Sequence, residues 1–436
     1  MPREILENKR KALKINLDES IYGTFAEIGA GQEVARNFFT AGAASGTIAK
    51  TMSAYDMVFS NSIYGAEESG RYVSESRLDK MIQHEFELLS ERLIGPKYEG
   101  KTFFAFADTV TTLNFNKTND PHGWLGIRFQ LTPGGEPNDI VFHVRLLDSD
   151  SSLQQNVLGI LGVNLVYAAY FYHDNIQHMI ESLVDNLTVG SVEIDLISLS
   201  GPQFKGSNDR LVNLYLIAKG FSGAAIFDQT GQARQSKDVL YKKDVMILRT
   251  KFGQKSTPNF DLFNKAVEQF KRTQNVDDKN LIVLIEVLMN NFLDDQSELG
   301  NEELEKFAKR AEELCATGNY VIVSDFTRNH KLAQYLSRCS PNSVGISTNI
   351  ANLKNIFNSK NYSENYTDEL LAYISDLFSK NVKLYAYPYL DKENNQIITT
   401  RNMPVSNEAK HLFEFLTQNS YIMDIDEYDT KFVKTI

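Results

Sequence analysis

Cysteine is nearly absent. Cys315 and Cys339 are the only two in 436 residues, too few for a disulfide framework or a four-cysteine zinc site. Cys315 falls on the apolar side of a predicted helix and reads as a small core residue. Cys339 follows Arg338 at a helix end, where a core residue and a reactive thiol are both readings. No window approaches 18 uncharged apolar residues. The most apolar run, 157–171, contains Asn164 and suits a buried helix better than a membrane span. Basic residues are in the minority, 45 Lys and Arg against 56 Asp and Glu, for a net charge of −11. That excludes a general duplex-DNA binder, which needs a basic footprint to displace counterions. It leaves room for one local basic pocket. The opening residues 1–10 are charged and have no apolar core, so no secretory signal is expected there and a cytoplasmic location is. Internal repeats and low-complexity tracts are missing as well.

Several catalytic signatures are also lacking. No Gly-Lys-Ser/Thr completes a Walker loop, and there is no His-Glu-x-x-His or Gly-x-Ser-x-Gly. The histidines do not cluster: His173 and His178 are five apart and share a helix face poorly.

What is present is the composition of a folded protein: 42% hydrophobic, 23% charged, with 27 Phe and 20 Tyr against one Trp. The length implies two domains, or three. The expected fold class is α/β. The N-terminal part, 1–275, is mixed: strand 24–28, helix 32–40, an amphipathic helix over 77–93, and strands at 102–107, 125–131 and 140–146. The last two are joined by a Thr132-Pro-Gly-Gly-Glu-Pro turn as an antiparallel hairpin. A long helical stretch over 153–187 is broken near His173. The polar segment 273–280 marks the expected boundary. Beyond it, 276–436 alternates strands with helices of 10 to 16 residues, the pattern of a smaller, doubly wound parallel unit.

Three constellations could carry chemistry. The first is Gly29-Ala-Gly31 between a strand and a helix, where backbone amides can meet an anion. Val34 stands where a third glycine of the dinucleotide fingerprint belongs, so a tight packing turn is the competing reading. Ser45, Thr47 and Lys50 would add hydroxyls and a cation. The second is Asp108, Arg128, His143, Arg145 and Asp148 on strands rich in aromatics. It reads either as structural ion pairs or as a polar site with arginine clamps. Gln154 and Gln155 follow it. The third is the set of strand ends 199–202, 323–325 and 346–349, which are either ligand contacts or ordinary helix caps.

Through Phe25-Ala-Glu-Ile-Gly-Ala-Gly-Gln-Glu-Val-Ala-Arg36, Ser53-Ala-Tyr-Asp-Met, Phe106-Ala-Asp-Thr, His122-Gly-Trp-Leu-Gly-Ile-Arg-Phe-Gln, Leu158-Gly-Ile-Leu-Gly-Val-Asn-Leu, Leu240-Tyr-Lys-Lys and Leu384-Tyr-Ala-Tyr-Pro, the chain resembles a widespread family of uncharacterised bacterial cytosolic proteins. Its members are variously labelled nicotinamide-mononucleotide adenylyltransferase or TonB-dependent receptor. The resemblance covers nearly the whole chain and implies no particular activity. A TonB receptor needs a signal peptide and barrel strands, and the sequence shows neither. An adenylyltransferase of that type uses His-x-Gly-His and Ile-Ser-Ser-Thr-x-x-Arg. Pro121-His-Gly-Trp124 lacks the second histidine, and Ile346-Ser-Thr-Asn349 lacks the arginine. Val321-Ile-Val-Ser-Asp325 resembles one phosphatase motif of the haloacid-dehalogenase type, but the partner Asp-x-Asp is missing.

The expectation from sequence is therefore a nucleotide- or phospho-metabolite-binding protein with a nucleotidyl- or phosphoryl-transfer chemistry within reach. Gly29, Gly31, Ser45, Thr47, Lys50, Arg128 and Arg145 would hold the phosphorylated ligand. Asp108, Asp148 and His143 would be catalytic, with the two aspartates holding a divalent cation such as Mg²⁺ or acting as base. No membrane partner is expected, and a homo-oligomer is allowed. The rival is a non-catalytic oligomeric assembly or regulatory protein.

Overall fold

The computed structural model describes residues 3–29, 32–251, 260–289, 301–362, 365–391 and 394–426. Its contacts divide the chain into two units, Met1–Ser222 and Gly223–Ile436. The division falls some fifty residues before the boundary expected at 275. The polar segment at 273–280 is instead a helix-to-strand connection inside the second unit.

In chain order the first unit comprises α1 (Asn8–Asn16), β1 (Ile21–Gly29), α2 (Glu33–Ala41), β2 (Ile48–Met52), α3 (Met57–Tyr64), α4 (Glu75–Arg92), β3 (Thr102–Thr111), β4 (His122–Phe129), β5 (Asn138–Leu146), α5 (Ser151–Phe171), α6 (Ile176–Leu183), β6 (Val192–Ser200) and α7 (Asp209–Ala218). Its six strands lie in the order β2-β1-β3-β4-β5-β6. β2, β1 and β3 are parallel, and β3 to β6 are antiparallel, which includes the expected hairpin. β6 belongs to this sheet, so the strand end at 199–202 is not part of the later one.

Residues 47–65, compatible with either period in the sequence, become β2 followed by α3. Strand alternation sends Phe25, Phe104 and Phe106 to one face, where Phe25 meets Phe38 of α2 with ring centroids 5.0 Å apart. Each such ring contributes roughly 1.5–3 kcal/mol by leaving water. The other face takes α4 through Phe103, Ala105, Phe86 and Leu89. The side chain of Ser74 caps α4 on the Arg77 amide, and Leu78, Met81, Ile82, Phe86 and Leu89 are buried as the spacing predicts. α5 packs on α2 because Gly162 has no side chain: a Cβ there would lie 2.3 Å from Val34.

The second unit comprises β7 (Ala224–Phe227), β8 (Ala233–Arg234), α8 (Ser236–Leu240), β9 (Asp244–Lys251), α9 (Phe260–Gln274), β10 (Leu281–Leu288), α10 (Asn301–Cys315), β11 (Tyr320–Ser324), α11 (Asn329–Arg338), β12 (Ser343–Asn349), α12 (Ile350–Ile356), α13 (Tyr366–Leu377), β13 (Val382–Tyr387), β14 (Tyr389–Asp391), β15 (Gln396–Ile398), α14 (Lys410–Gln418) and β16 (Ile422–Asp424). Its eight-stranded sheet runs β16-β13-β12-β9-β10-β11-β7-β8. The six strands from β16 to β11 are parallel. β9, β10 and β11 step outward in one direction, and β12, β13 and β16 in the other. The winding therefore reverses between β9 and β12. Val245, Ile247, Leu284 and Ile346 face one core, while Met246, Leu248, Phe270 and Tyr385 face the other. The unit is doubly wound as expected, though larger, because β7 to β9 join it. Cys315 and Cys339 are both buried. Among the described residues no helix is long and apolar enough to cross a membrane.

Candidate functional site

β1 ends at Gly29 and the next helix starts at Glu33. Gly29 is indispensable: its φ is +89°, and a Cβ there would stand 2.1 Å from the carbonyl oxygen of Val110. The helix start behind it is already occupied. Glu27, two residues earlier on the face toward α2, accepts from the amides of Val34 at 3.0 Å and Ala35 at 3.2 Å. The protein's own carboxylate thus takes the place an external phosphate was expected to take. Burial pushes the Glu27 carboxyl up to about 7 against the pull of those two amides. Gly31 lies outside the described residues.

Asp108 lies beside Glu27 in the β1–β3 register, fully buried. Neither of its carboxyl oxygens has a hydrogen bond of ordinary geometry. Burial, then the neighbouring Glu27, raise its pKa well above the usual carboxylate range, and the nearby Ile28 amide only partly opposes this. Burial thus drives Asp108 toward its neutral form, which does not suit a cation ligand. Among the described residues no group of three His, Cys, Asp or Glu could hold a metal ion.

The remaining expected residues are dispersed. Ser45 and Thr47 lie at the amino end of β2, next to Gly23, which is about 20 Å along β1 from Gly29 at ~3.3 Å per residue. Ser45 is exposed, and the Thr47 hydroxyl donates to the Asn16 carbonyl. Lys50 pairs at 2.5 Å with Glu85 of α4, on the sheet face away from α2. Arg128 is held by Asp139 through Nε at 2.8 Å and Nη2 at 2.9 Å. Its strand position is six residues from His122, so it sits at the opposite end of the sheet from His143 and Arg145. Asp148 follows β5, and its carbonyl accepts from the buried Gln154 amide. Gln154 also accepts from Leu113, so it ties the loop and is not a ligand contact.

His143 is brought into a constellation of a different kind. Asp195 of β6 meets its Nδ1 at 2.6 Å, and His122 of β4 meets its Nε2 at 3.0 Å. His143 and Asp195 are buried, and His122 is half-buried. Trp124 packs against the His143 ring at 5.0 Å. Arg145, two residues along β5, pairs with Asp120 at 3.0 Å and lies 3.7 Å from Glu193. The sequence hid this chain because its members come from three strands. A signal existed in the alternation, since His143 and His122 both fall on the face away from Phe142 and Leu125.

In the second unit a cavity of about 460 Å³ opens at the carboxyl ends of β9 and β10 and beside α12, which follows β12. Arg249 reaches it from β9. Its Nε meets Glu286 of β10, its Nη2 is 3.2 Å from the same carboxylate, and it also donates to Asn329 and to the Phe326 carbonyl. Glu286 is fully buried and accepts from the Ser324 hydroxyl at 2.6 Å. Arg328, exposed at the head of α11, lines the cavity and has no ion-pair partner among the described residues. Asn352, Asn355, Tyr362 and Tyr373 complete the walls. Tyr373 stands against the ring of His330 at 4.3 Å, and burial lowers the His330 pKa. Of the expected strand ends, Ser324 thus ties down Glu286. Asn349 caps α12 on the Asn352 amide at 2.6 Å, and the Ser347 hydroxyl donates to the Ile247 carbonyl.

No protein-family model matches the chain, and no curated protein matches it. Parts of the chain are similar to solved structures at low identity. The competence/damage inducible protein CihA from Agrobacterium tumefaciens is 15% identical, with 38% of this chain and 98% of that one covered at a TM-score of 0.29. A competence or damage-inducible protein from Enterobacter asburiae is 12% identical over 38% of this chain and 99% of that one, also at 0.29. A competence-damaged protein (CinA) superfamily protein from Enterobacter cloacae is 11% identical over 39% and 95%, again at 0.29. Likeness at this level carries nothing about what the chain binds or catalyses.

Proposed function

We propose that the second unit binds a small phosphorylated metabolite, of the size of a nucleotide, in the cavity between Arg249 and Arg328. The observation that carries this is the position of that cavity. It lies at the carboxyl ends of parallel strands where the winding reverses between β9 and β12, the place where open α/β sheets present their ligands.

The electrostatics agree. Arg249 arrives with its charge matched by Glu286, so the unmatched positive charge is that of Arg328. The asparagines add neutral donors and acceptors. Tyr362 and Tyr373 offer flat apolar surface to a ring. The net requirement is an anionic group next to a planar one.

A thermal-shift screen against mononucleotides, nicotinamide nucleotides and sugar phosphates, each with and without Mg²⁺, tests the reading. A ligand at one hundred times its Kd stabilises the folded state by about 2.7 kcal/mol. Arg328→Ala removes one charged hydrogen bond at an exposed site and is expected to weaken the selected compound about tenfold, with the unliganded Tm unchanged. A screen in which no phosphorylated compound raises the Tm, or an Arg328→Ala protein that binds as well as the wild type, would overturn it. The first of these outcomes favours the assembly protein.

A further inference from the structure

We infer that the first unit carries a self-association surface, formed by Phe39 of α2 and residues 55–59 at the start of α3, and that its occupant is a second copy of this chain. Most exposed large hydrophobic side chains of the described residues are scattered singly, as on any folded surface. Four are not. Tyr55, Met57, Val58 and Phe59 fall within five consecutive residues and are 58 to 82% exposed. Phe39, 54% exposed, lies on one wall of a recess of about 590 Å³. The opposite wall, Thr51, Met52 and Ser53, leads directly into Tyr55.

α3 is the wrong way round for a helix that faces water. Its buried positions are Ser60 and Tyr64, and the Ser60 hydroxyl has no hydrogen-bond partner. Met57, Val58 and Phe59 are the exposed ones. A surface helix normally buries its apolar stripe. Burying a bare hydroxyl while leaving apolar side chains in water costs free energy, and covering the outer face recovers it. The segment is also held in place beforehand. Asp56 accepts from the Phe59 amide at 2.9 Å, and the Tyr64 hydroxyl donates to Glu85 of α4 at 2.9 Å. A patch fixed in this way loses little further freedom when a partner covers it.

Area and charge select the occupant. At ~200 Å² for a whole aromatic or methionine side chain, and less for valine, the five residues expose about 600 Å². A two-fold contact in which the patch meets its own copy hides about 1,200 Å², which reaches the lower bound of stable specific interfaces. Aromatic side chains and methionine are also the residues that interface cores favour. Each copy has a net charge of −11, so two copies can approach closely only where charge is low. The patch holds one carboxylate, Asp56, and the Phe59 amide engages it. Arg36, on the rim of the recess, is paired with Glu33 at 3.3 Å. Strand addition is a poorer use of this face. β2 is the edge strand and pairs with β1 alone among the described strands. It is five residues long and carries Lys50, and shortness and lysine both blunt edge pairing. The contact is therefore made by side chains. It is independent of the ligand cavity in the second unit.

The test is sedimentation velocity of the full chain over about 1–100 µM, where a reversible monomer–dimer equilibrium is expected. Added salt should tighten it, because screening weakens the repulsion between like net charges and leaves the apolar contact intact. Val58→Glu brings a carboxylate into the contact from both copies and is expected to raise the dimer dissociation constant about a hundredfold. Phe59→Ser removes one aromatic from each side and is expected to raise it about tenfold. Both side chains are exposed, so the circular dichroism of the monomer should stay that of the wild type. Hydroxyl-radical footprinting reads the surface itself: Tyr55, Met57 and Phe59 are protected in the wild-type dimer and labelled in Val58→Glu. Should Val58→Glu fail to fold, Phe59→Ser and the wild-type footprint at high and low concentration decide alone. Three results overturn the assignment. The first is a wild type that stays monomeric over the whole range with the patch labelled, which leaves the face to a different partner. The second is a dimer that survives both variants. The third is a dimer that loosens as salt is raised, which marks an ionic contact elsewhere on the molecule.

Discussion

Between pH 4.5 and 7 the wild-type protein is expected to lose on the order of 3 kcal/mol of stability through Glu27, a loss that Glu27→Gln does not share. The folded-state pKa of Glu27 is raised from 4.5 to about 7, chiefly by burial. The folded state therefore binds more protons than the unfolded chain in that window. Stability is fully present below pH 4.5 and declines as pH rises through 7, after which both states are ionised and the slope vanishes. A shift of ~2.5 units at 1.36 kcal/mol per unit gives the stated size. Glu27→Gln keeps an acceptor for one of the Val34 and Ala35 amides but leaves the other without one, which costs about 1 kcal/mol at every pH. The two curves cross. The variant is the less stable protein at pH 4, by about 1 kcal/mol, and the more stable one at pH 8, by about 2 kcal/mol. Urea unfolding at both values measures this. Other carboxyls titrate in the same range, and taking the difference between the two proteins removes them. Parallel curves would mean that Glu27 is ionised at both values, and the neutral partner in the Glu27–Asp108 pair would then have to be Asp108 alone.

That pair shows where sequence reasoning reached and where it stopped. The strand, the glycine turn and the helix behind it are local, and periodicity with turn chemistry located all three. The identity of the anion was not local. Glu27 lies on the inward face of β1, and only the register with α2 shows that its carboxylate, and no external phosphate, meets the helix start. Arg128 and Arg145 failed as a joint clamp for a related reason. Alternation places both on one sheet face, but distance along the strand depends on hairpin register, and that register sets them at opposite ends. His143 was found and its partners were not, because the 21-residue α5 and then α6 stand between β5 and Asp195, and nothing in the spacing links it to β5. In the second unit the alternation of strands and helices gave the layers. The site there rests on Arg249, Glu286 and Arg328, single charged residues inside or just after apolar strands. A charge in such a run is costly unless paired or used, and that was the available signal.

Glu286→Gln is expected to destabilise the second unit by about 3–5 kcal/mol and at the same time to tighten its hold on a phosphorylated ligand. Glu286 is fully buried, and its carboxylate compensates Arg249. The amide is isosteric but neutral. It turns an NH₂ toward guanidinium donors and leaves the arginine charge without its counterion in a partly buried site, which carries a penalty of that order. The same unmatched charge faces the cavity. At ~5 Å and an effective dielectric of ~20, a unit positive charge attracts a unit negative one by about 3 kcal/mol, part of which reappears as affinity. The variant should therefore melt lower without ligand and show a larger ligand-induced rise in Tm than the wild type. Replacing both partners by apolar residues, as in Arg249→Met with Glu286→Leu, separates the two effects. Such exchanges of a buried ion pair are often neutral or stabilising, so the double variant should recover most of the lost stability while binding a phosphorylated compound more weakly than the wild type, through Arg328 alone. A double variant that binds as tightly as the wild type would remove Arg249 from the site. A single variant as stable as the wild type would show that the buried pair contributes nothing net to the fold and is retained for the ligand alone.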